Sequence, residues 1–182
     1  MKTALVLIDI QNDYFEGGKL PLTGITQATG NAARLLEFFR ERNLPVFHIQ
    51  HMAEQSGAGG FVPGTAGSEI HKSVAPITGE QRIVKHFPSS FKETELLQKL
   101  RTAGIERLVF CGAMTHMCVD TTVRVAFELG FADNLLAHDA CATMDLQWND
   151  ITVKSEQVQA AYMAALGRFA QVMHADGIMD IV

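Results

Sequence analysis

Three polar residues stand at or just beyond the ends of apolar runs in this chain. Asp9 follows Ala4-Leu5-Val6-Leu7-Ile8, Lys85 follows Arg82-Ile83-Val84, and Cys118 comes shortly after Leu108-Val109-Phe110-Cys111-Gly112. A thiol, a carboxylate and an ammonium suit covalent catalysis: sulfur forms the new bond, the carboxylate carries its proton, and the cation orients that carboxylate. Cys118 falls where a helix begins, and the unpaired N–H groups and dipole of that end, with a nearby lysine, favour a thiolate. Alone, each residue has a plainer reading: a small core cysteine, a turn or cap aspartate, a solvated lysine at a strand end. Together, and beside the dense polar cluster Gln11-Asn12-Asp13 that no helix cap requires, they point to one site. Cys111 reads as core, and Cys141 as a loop residue without a role.

For these residues to meet, the runs must be parallel strands. Strands are expected at Ala4 to Ile8, Pro45 to Gln50, Arg82 to Val84, Arg107 to Cys111, Asn134 to Ala137 and Gln171 to His174. Helices are expected at Ala28 to Arg42, Lys92 to Ala103, Met117 to Leu129 and Val153 to Phe169. Strand-length apolar runs alternating with helical periodicity argue an α/β fold, a parallel sheet covered on both faces. In such sheets ligands bind beyond the carboxyl ends of the strands, where Asp9, Lys85 and Cys118 lie. Gly104 and Gly130 close two of the helices. His51 to Gly79, rich in glycine and without periodicity, reads as a long ordered excursion of the kind that serves function.

Composition narrows the classes. A chain of 182 residues, 47% hydrophobic and 19% charged, fits one packed domain spanning 1–182. The formal charge of -5, with no basic run, gives no surface for a phosphate backbone, so nucleic acid is not expected as a partner. The first apolar run stops at Asp9, too short for an export signal, and no later run has the length of a membrane span, so no membrane partner is expected. Three cysteines, an odd number, fit a reducing compartment better than a disulfide framework, which makes the cytoplasm the expected location.

The blocks Leu7-Ile8-Asp9-Ile10-Gln11-Asn12-Asp13-Tyr14-Phe15, then Val84-Lys85 with Ser90-Phe91, then Gly112-Ala113-Met114-Thr115-His116-Met117-Cys118-Val119 with Thr122 and Arg124, resemble the isochorismatase-like cysteine hydrolases nearly end to end. That family includes nicotinamidases and N-carbamoylsarcosine amidohydrolase. The resemblance implies a three-layer α/β/α fold with a six-stranded parallel sheet in the order 3-2-1-4-5-6. It implies a triad of Asp9, Lys85 and Cys118, a cis peptide between Ala113 and Met114, and an oxyanion hole from the N–H groups of Met114 and Cys118. It also implies that Tyr14 and Gln11 bind substrate and that the chain forms a homo-oligomer, a dimer or tetramer.

One departure matters. Nicotinamidases carry an Asp-x-His metal pair after the second strand, where this chain has Gln50-His51-Met52-Ala53. His48, His51 and His71 are conceivable ligands, but without that spacing they read as surface or pocket-lining histidines, and no metal or other cofactor is expected. The expected function is hydrolysis of a C–N bond in a small amide or carbamoyl compound through a Cys118 thioester. The alternatives are an isochorismatase-type ether hydrolase, which the presence of Cys118 disfavours, and a catalytically silent binding or scaffold member. A nucleotide-binding module has only Gly57-Ala58-Gly59-Gly60 in its support, outside the strand-to-helix context that cradles a pyrophosphate.

Overall fold

The computed structural model describes residues 1–53 and 59–182. Six parallel strands form the central sheet: β1 (Thr3–Ile8), β2 (Val46–His51), β3 (Gln81–Lys85), β4 (Arg107–Ala113), β5 (Leu135–Ala142) and, after a small hairpin of β6 (Leu146–Trp148) and β7 (Ile151–Val153), β8 (Gln171–Met173). Their order is β3-β2-β1-β4-β5-β8, so the chain reverses direction across the sheet between β1 and β4, as expected for the resemblance.

The two middle strands are apolar at nearly every position because both of their faces are covered. Ala4, Val6 and Ile8 of β1 pack with Leu96 and Leu100 of α2 (Leu96–Thr102), Val123 and Ala126 of α3 (Asp120–Glu128), and Met163 and Leu166 of α4 (Ser155–Leu166). Leu5 and Leu7, pointing the other way, pack with Ala32, Leu35, Leu36 and Phe39 of α1 (Ile25–Glu41), and Ala175 and Ile178 of α5 (Ala175–Ile181) share that second core. In α1 those residues fall on one helical stripe, and burying each large side chain contributes roughly 1.5–3 kcal/mol. The helix ends where Asn43 turns to φ +54, letting the Leu44 N–H return to the Phe39 carbonyl at 2.8 Å.

Several boundaries differ from the sequence reading. α1 starts at Ile25, before Ala28, because Gly24 at φ +73 launches the helix. α2 begins at Leu96 instead of Lys92, since Glu93 sits at φ +55 and Thr94 bonds the Ser90 carbonyl at 2.6 Å, folding residues 92–95 into a turn. Val153 belongs to β7, so α4 starts only at Ser155. β5 runs on to Ala142, which places Cys141 in a buried strand and not in a loop. The β6–β7 hairpin and α5 were not expected. All three cysteines are free thiols, and among the described residues no helix is long and apolar enough to cross a membrane.

At Gly112 the sheet is tighter than any side chain would permit. Its φ is +128, and a Cβ there would lie 2.0 Å from the Ile8 carbonyl oxygen on β1. The close approach lies in the strand that leads to Cys118, next to the strand that ends at Asp9.

Candidate active site

Asp9, the first residue after β1, takes φ +50, a left-handed conformation that aspartate tolerates better than most residues. Its N–H still bonds the Ile49 carbonyl of β2 at 3.1 Å, so the turn leaves directly from the sheet. Cys118 sits in a wide turn between β4 and α3, in which the N–H groups of Met117 and Val119 both reach the Met114 carbonyl, at 3.1 and 3.2 Å. The Ala113–Met114 peptide bond before it is cis.

Lys85 is the last residue of β3, an edge strand, and β2 lies between it and β1. Adjacent strands are about 4.8 Å apart, so only a long, unbranched side chain can bring a cation from β3 to Asp9. The Lys85 stem passes the end of β2, where His51 is its register partner. Its ammonium lies 2.7 Å from Asp9 Oδ2, 3.1 Å from His51 Nδ1, 3.1 Å from the Phe87 carbonyl and 3.2 Å from Cys118 Sγ. Beyond Lys85, the Ser90 N–H and hydroxyl meet the Thr122 hydroxyl of α3 at 3.0 and 2.9 Å, which ties the segment after Lys85 to the helix that follows Cys118.

Burial opposes the charge on Lys85, but Asp9 and Cys118 outweigh it and hold the ammonium above its ordinary pKa. For Cys118 the balance runs the other way. Burial first, then the Asp9 charge, push the thiol well up, and Lys85 only partly offsets them. The thiolate expected from the helix end and the lysine is therefore not the resting form. The proton stays on sulfur until something takes it, and Asp9 is placed to do so. The Asp9–Lys85 contact is a fully buried ion pair, and the same carboxylate raises the pKa of both the ammonium and the thiol.

Asp9, His51 and Cys118 offer ligand atoms that all lie within 4.8 Å of one another, a grouping a metal ion could use. The Lys85 ammonium contacts all three of these side chains. A divalent ion would have to displace a buried, charge-paired lysine, so the residues do not fit a metal as they stand. His48 and His71 lie apart from the cluster. His48 bonds Glu80 at 2.8 Å, and His71 stacks on Phe15 with centroids 3.9 Å apart.

A cavity of about 520 Å³ opens over Cys118. Tyr14, His51, Met114 and Met117 line it together with Leu20, Ala53, Gly59, Gly60, Phe61, His86 and Pro88. Gln11 does not line it. Its amide donates to the carbonyls of His51 and Ser68, at 2.8 and 2.7 Å, and accepts from the His51 N–H at 2.8 Å, so it fastens the end of β2. Of the glycine stretch at 57–60, Gly57 and Ala58 lie outside the described residues, while Gly59 and Gly60 belong to this wall. A larger hollow, about 750 Å³, lies near the starts of β2 and β3, at the opposite end of the strands from Lys85, and contains neither Asp9 nor Cys118.

The sequence reading did not include Phe61 and Asp13 in the site. Asp13 is buried and accepts the N–H groups of Phe61 and Lys19 at 2.6 and 3.2 Å. Gly67 packs so closely that a Cβ there would lie 2.2 Å from Asp13 Oδ1. Asp13 thus joins the turn that carries Leu20 to the loop that carries Phe61, whose ring meets Tyr14 edge-on at 4.9 Å and His51 at 5.7 Å. The available signal was an acidic residue two places after Gln11 with no basic partner nearby in sequence.

The family model of the isochorismatase domain matches residues 3–176. The chain belongs to the isochorismatase family. Its fold and its Cys118–His51–Asp9 cluster mark it as a hydrolase of that family. It is 51% identical over 173 residues to the uncharacterized isochorismatase family protein YddQ of Bacillus subtilis, covering 94% of this chain and 96% of that one. It is 35% identical over 154 residues to a streptothricin hydrolase of Streptomyces noursei, covering 79% of this chain and 50% of that one. The crystal structure of an isochorismatase hydrolase from Oleispira antarctica superposes with a TM-score of 0.95 at 47% identity, covering 98% of this chain and 96% of that one.

Proposed function

We propose that this isochorismatase-family chain hydrolyses a C–N bond of a small amide or carbamoyl compound through a thioester on Cys118. The observation that carries the reading is a buried Cys118 thiol grouped with Asp9, while one lysine touches both. Asp9 takes the proton as Cys118 sulfur attacks the carbonyl carbon, and Lys85 stabilises the charge as it develops on sulfur. The carbonyl electron pair moves to oxygen, which meets the N–H groups of Met114 and Cys118. The Met114 N–H has no acceptor among the described residues. Asp9 then returns the proton to the departing nitrogen as the C–N bond breaks, leaving an acyl group on sulfur and a free amine. Water, deprotonated by Asp9, attacks the thioester, and the acid leaves with the thiol restored.

The streptothricin hydrolase relative adds support for a hydrolase reading, and a Cys118 nucleophile suits an acyl carbonyl better than a vinyl ether. The test is a panel of small amides and carbamoyl compounds followed by ammonia release, run on the native chain and on Cys118→Ala. The expected result is turnover by the native chain alone, with an acyl adduct on Cys118 in rapidly quenched samples. Equal turnover by Cys118→Ala would remove the reading.

A further inference from the structure

We propose that the cavity over Cys118 selects uncharged acyl compounds and rejects those carrying a carboxylate, an inference that rests on the cysteine-hydrolase reading. Leu20, Phe61, Pro88, Met114 and Met117 give the wall an apolar surface. Among the described residues, Tyr14, His51 and His86 bring polar side chains to it.

Two of these are neutral groups. Burial, then the Asp9 charge, keeps Tyr14 a phenol. His51 is held neutral chiefly by burial and by Lys85, which lower its pKa. Its Nδ1 receives the Lys85 ammonium, so its one proton sits on Nε2, which has no protein partner among the described residues. Tyr14 and His51 can therefore donate to a carbonyl or amide oxygen without offering a counter-ion. His86 is exposed at the rim, with Nδ1 on the Met52 carbonyl at 2.9 Å.

Lys85 is the cation beneath the cavity, and its charge is already matched by Asp9 at 2.7 Å. The segment 54–58, Glu-Gln-Ser-Gly-Ala, contributes no lysine or arginine to the chain. A substrate carboxylate would lose its hydration against apolar side chains, find no unpaired cation among the described residues that line the cavity, and approach the Asp9 charge. A neutral ring or short branched acyl group suits both the aromatic pair of Tyr14 and Phe61 and a volume of about 520 Å³.

The test compares matched reagents near pH 8. Alkylation of Cys118 by iodoacetamide and by iodoacetate is followed by peptide mapping, each rate divided by that reagent's rate with a small free thiol. The expected outcome is a preference for iodoacetamide of about tenfold or more at Cys118. Normalised rates that are equal, or that favour iodoacetate, overturn the proposal. In parallel, kcat/KM is measured for benzamide against its para-carboxyl derivative and for butyramide against succinamate. Hydrolysis that favours the neutral member supports the proposal, and equal or better hydrolysis of the carboxylated member overturns it. If no amide is turned over while the alkylation preference holds, the hydrolase reading fails and the charge selection stands.

Discussion

The Lys85 ammonium reaches across an entire strand to lie 2.7 Å from Asp9 Oδ2, touching His51 at the end of the intervening strand on the way. The site is thus built on one cation shared by a carboxylate, an imidazole and a thiol. Changing any partner redistributes charge among the others.

Asp9→Asn tests that redistribution at sulfur. The Asp9 charge raises the Cys118 pKa and Lys85 lowers it, so removing the carboxylate should bring the thiol down. The pH midpoint for iodoacetamide labelling of Cys118 should move to lower pH, while amide turnover falls by roughly 10²-fold or more because an amide side chain cannot carry the proton. The Asp9→Asn/Cys118→Ala double variant should be hardly worse than the worse single one. A labelling midpoint that stays put would mean that Asp9 does not govern the thiol.

Lys85→Ala leaves Asp9 buried without a counter-charge, which should destabilise the fold by roughly 3–5 kcal/mol in urea titrations. Adding Asp9→Asn should return much of that loss, because the unpaired charge goes with it. Lys85→Ala also vacates the centre of the Asp9, His51 and Cys118 grouping. Cobalt(II) should then bind there and show thiolate-to-metal absorption, while the native chain shows none and keeps its activity after dialysis against a strong chelator. Cobalt absorption of equal strength in the native chain would show that the ammonium does not exclude metal.

Asp13→Asn weakens the acceptor for the Phe61 N–H without touching the reacting groups. The cavity wall should loosen, raising KM for neutral amides roughly tenfold, since hydrogen bonds to a charged group contribute about 1.5–3 kcal/mol. kcat and the labelling rate of Cys118 by iodoacetamide should be nearly unchanged. A fall in kcat at constant KM would place Asp13 in the chemistry instead of the wall.

Glu80 makes an acid-stability prediction away from the site. Burial alone would raise its carboxyl, but hydrogen bonds from Arg40, the Ile77 N–H and His48 override it and hold the pKa at about 2. A carboxyl with a depressed folded pKa stabilises the protein above its ordinary value of 4.5, and that stability is lost as the pH falls from there toward about 2. Glu80→Gln should cost on the order of 2–3 kcal/mol near pH 7, with the difference from the native chain shrinking across that acid range. A difference independent of pH in urea titrations from pH 7 to 2 would assign the effect to packing alone.

The catalytic floor was readable because each of its residues interrupts or follows an apolar run, and a parallel sheet brings such ends together. The walls were not. Phe61 takes φ +57 in a segment without periodicity, and its place is set by Asp13, a contact across 48 positions that no local pattern encodes. The protonation of Cys118 is hidden for a related reason: helix position and a nearby lysine are visible in sequence, but the desolvation that outweighs them depends on burial by the whole fold. Gln11 sat in the expected motif, yet its amide is taken up by the backbone of His51 and Ser68, which only the folded loop supplies. The helix at Lys92 was shortened by Glu93 and Thr94, residues whose turn preference competed with an otherwise regular apolar spacing.

Lys85 belongs to an edge strand whose outward residues Arg82 and Val84 are exposed, whereas Asp9 and Cys118 are anchored in or beside the middle of the sheet. Edge elements open locally at lower free energy than the core. On warming, β3 should detach before the sheet melts, withdrawing the cation and leaving a protonated thiol beside an uncompensated carboxylate. Inactivation would then precede global unfolding and reverse on cooling, making hydrolase activity a thermometer for one strand and not for the whole molecule.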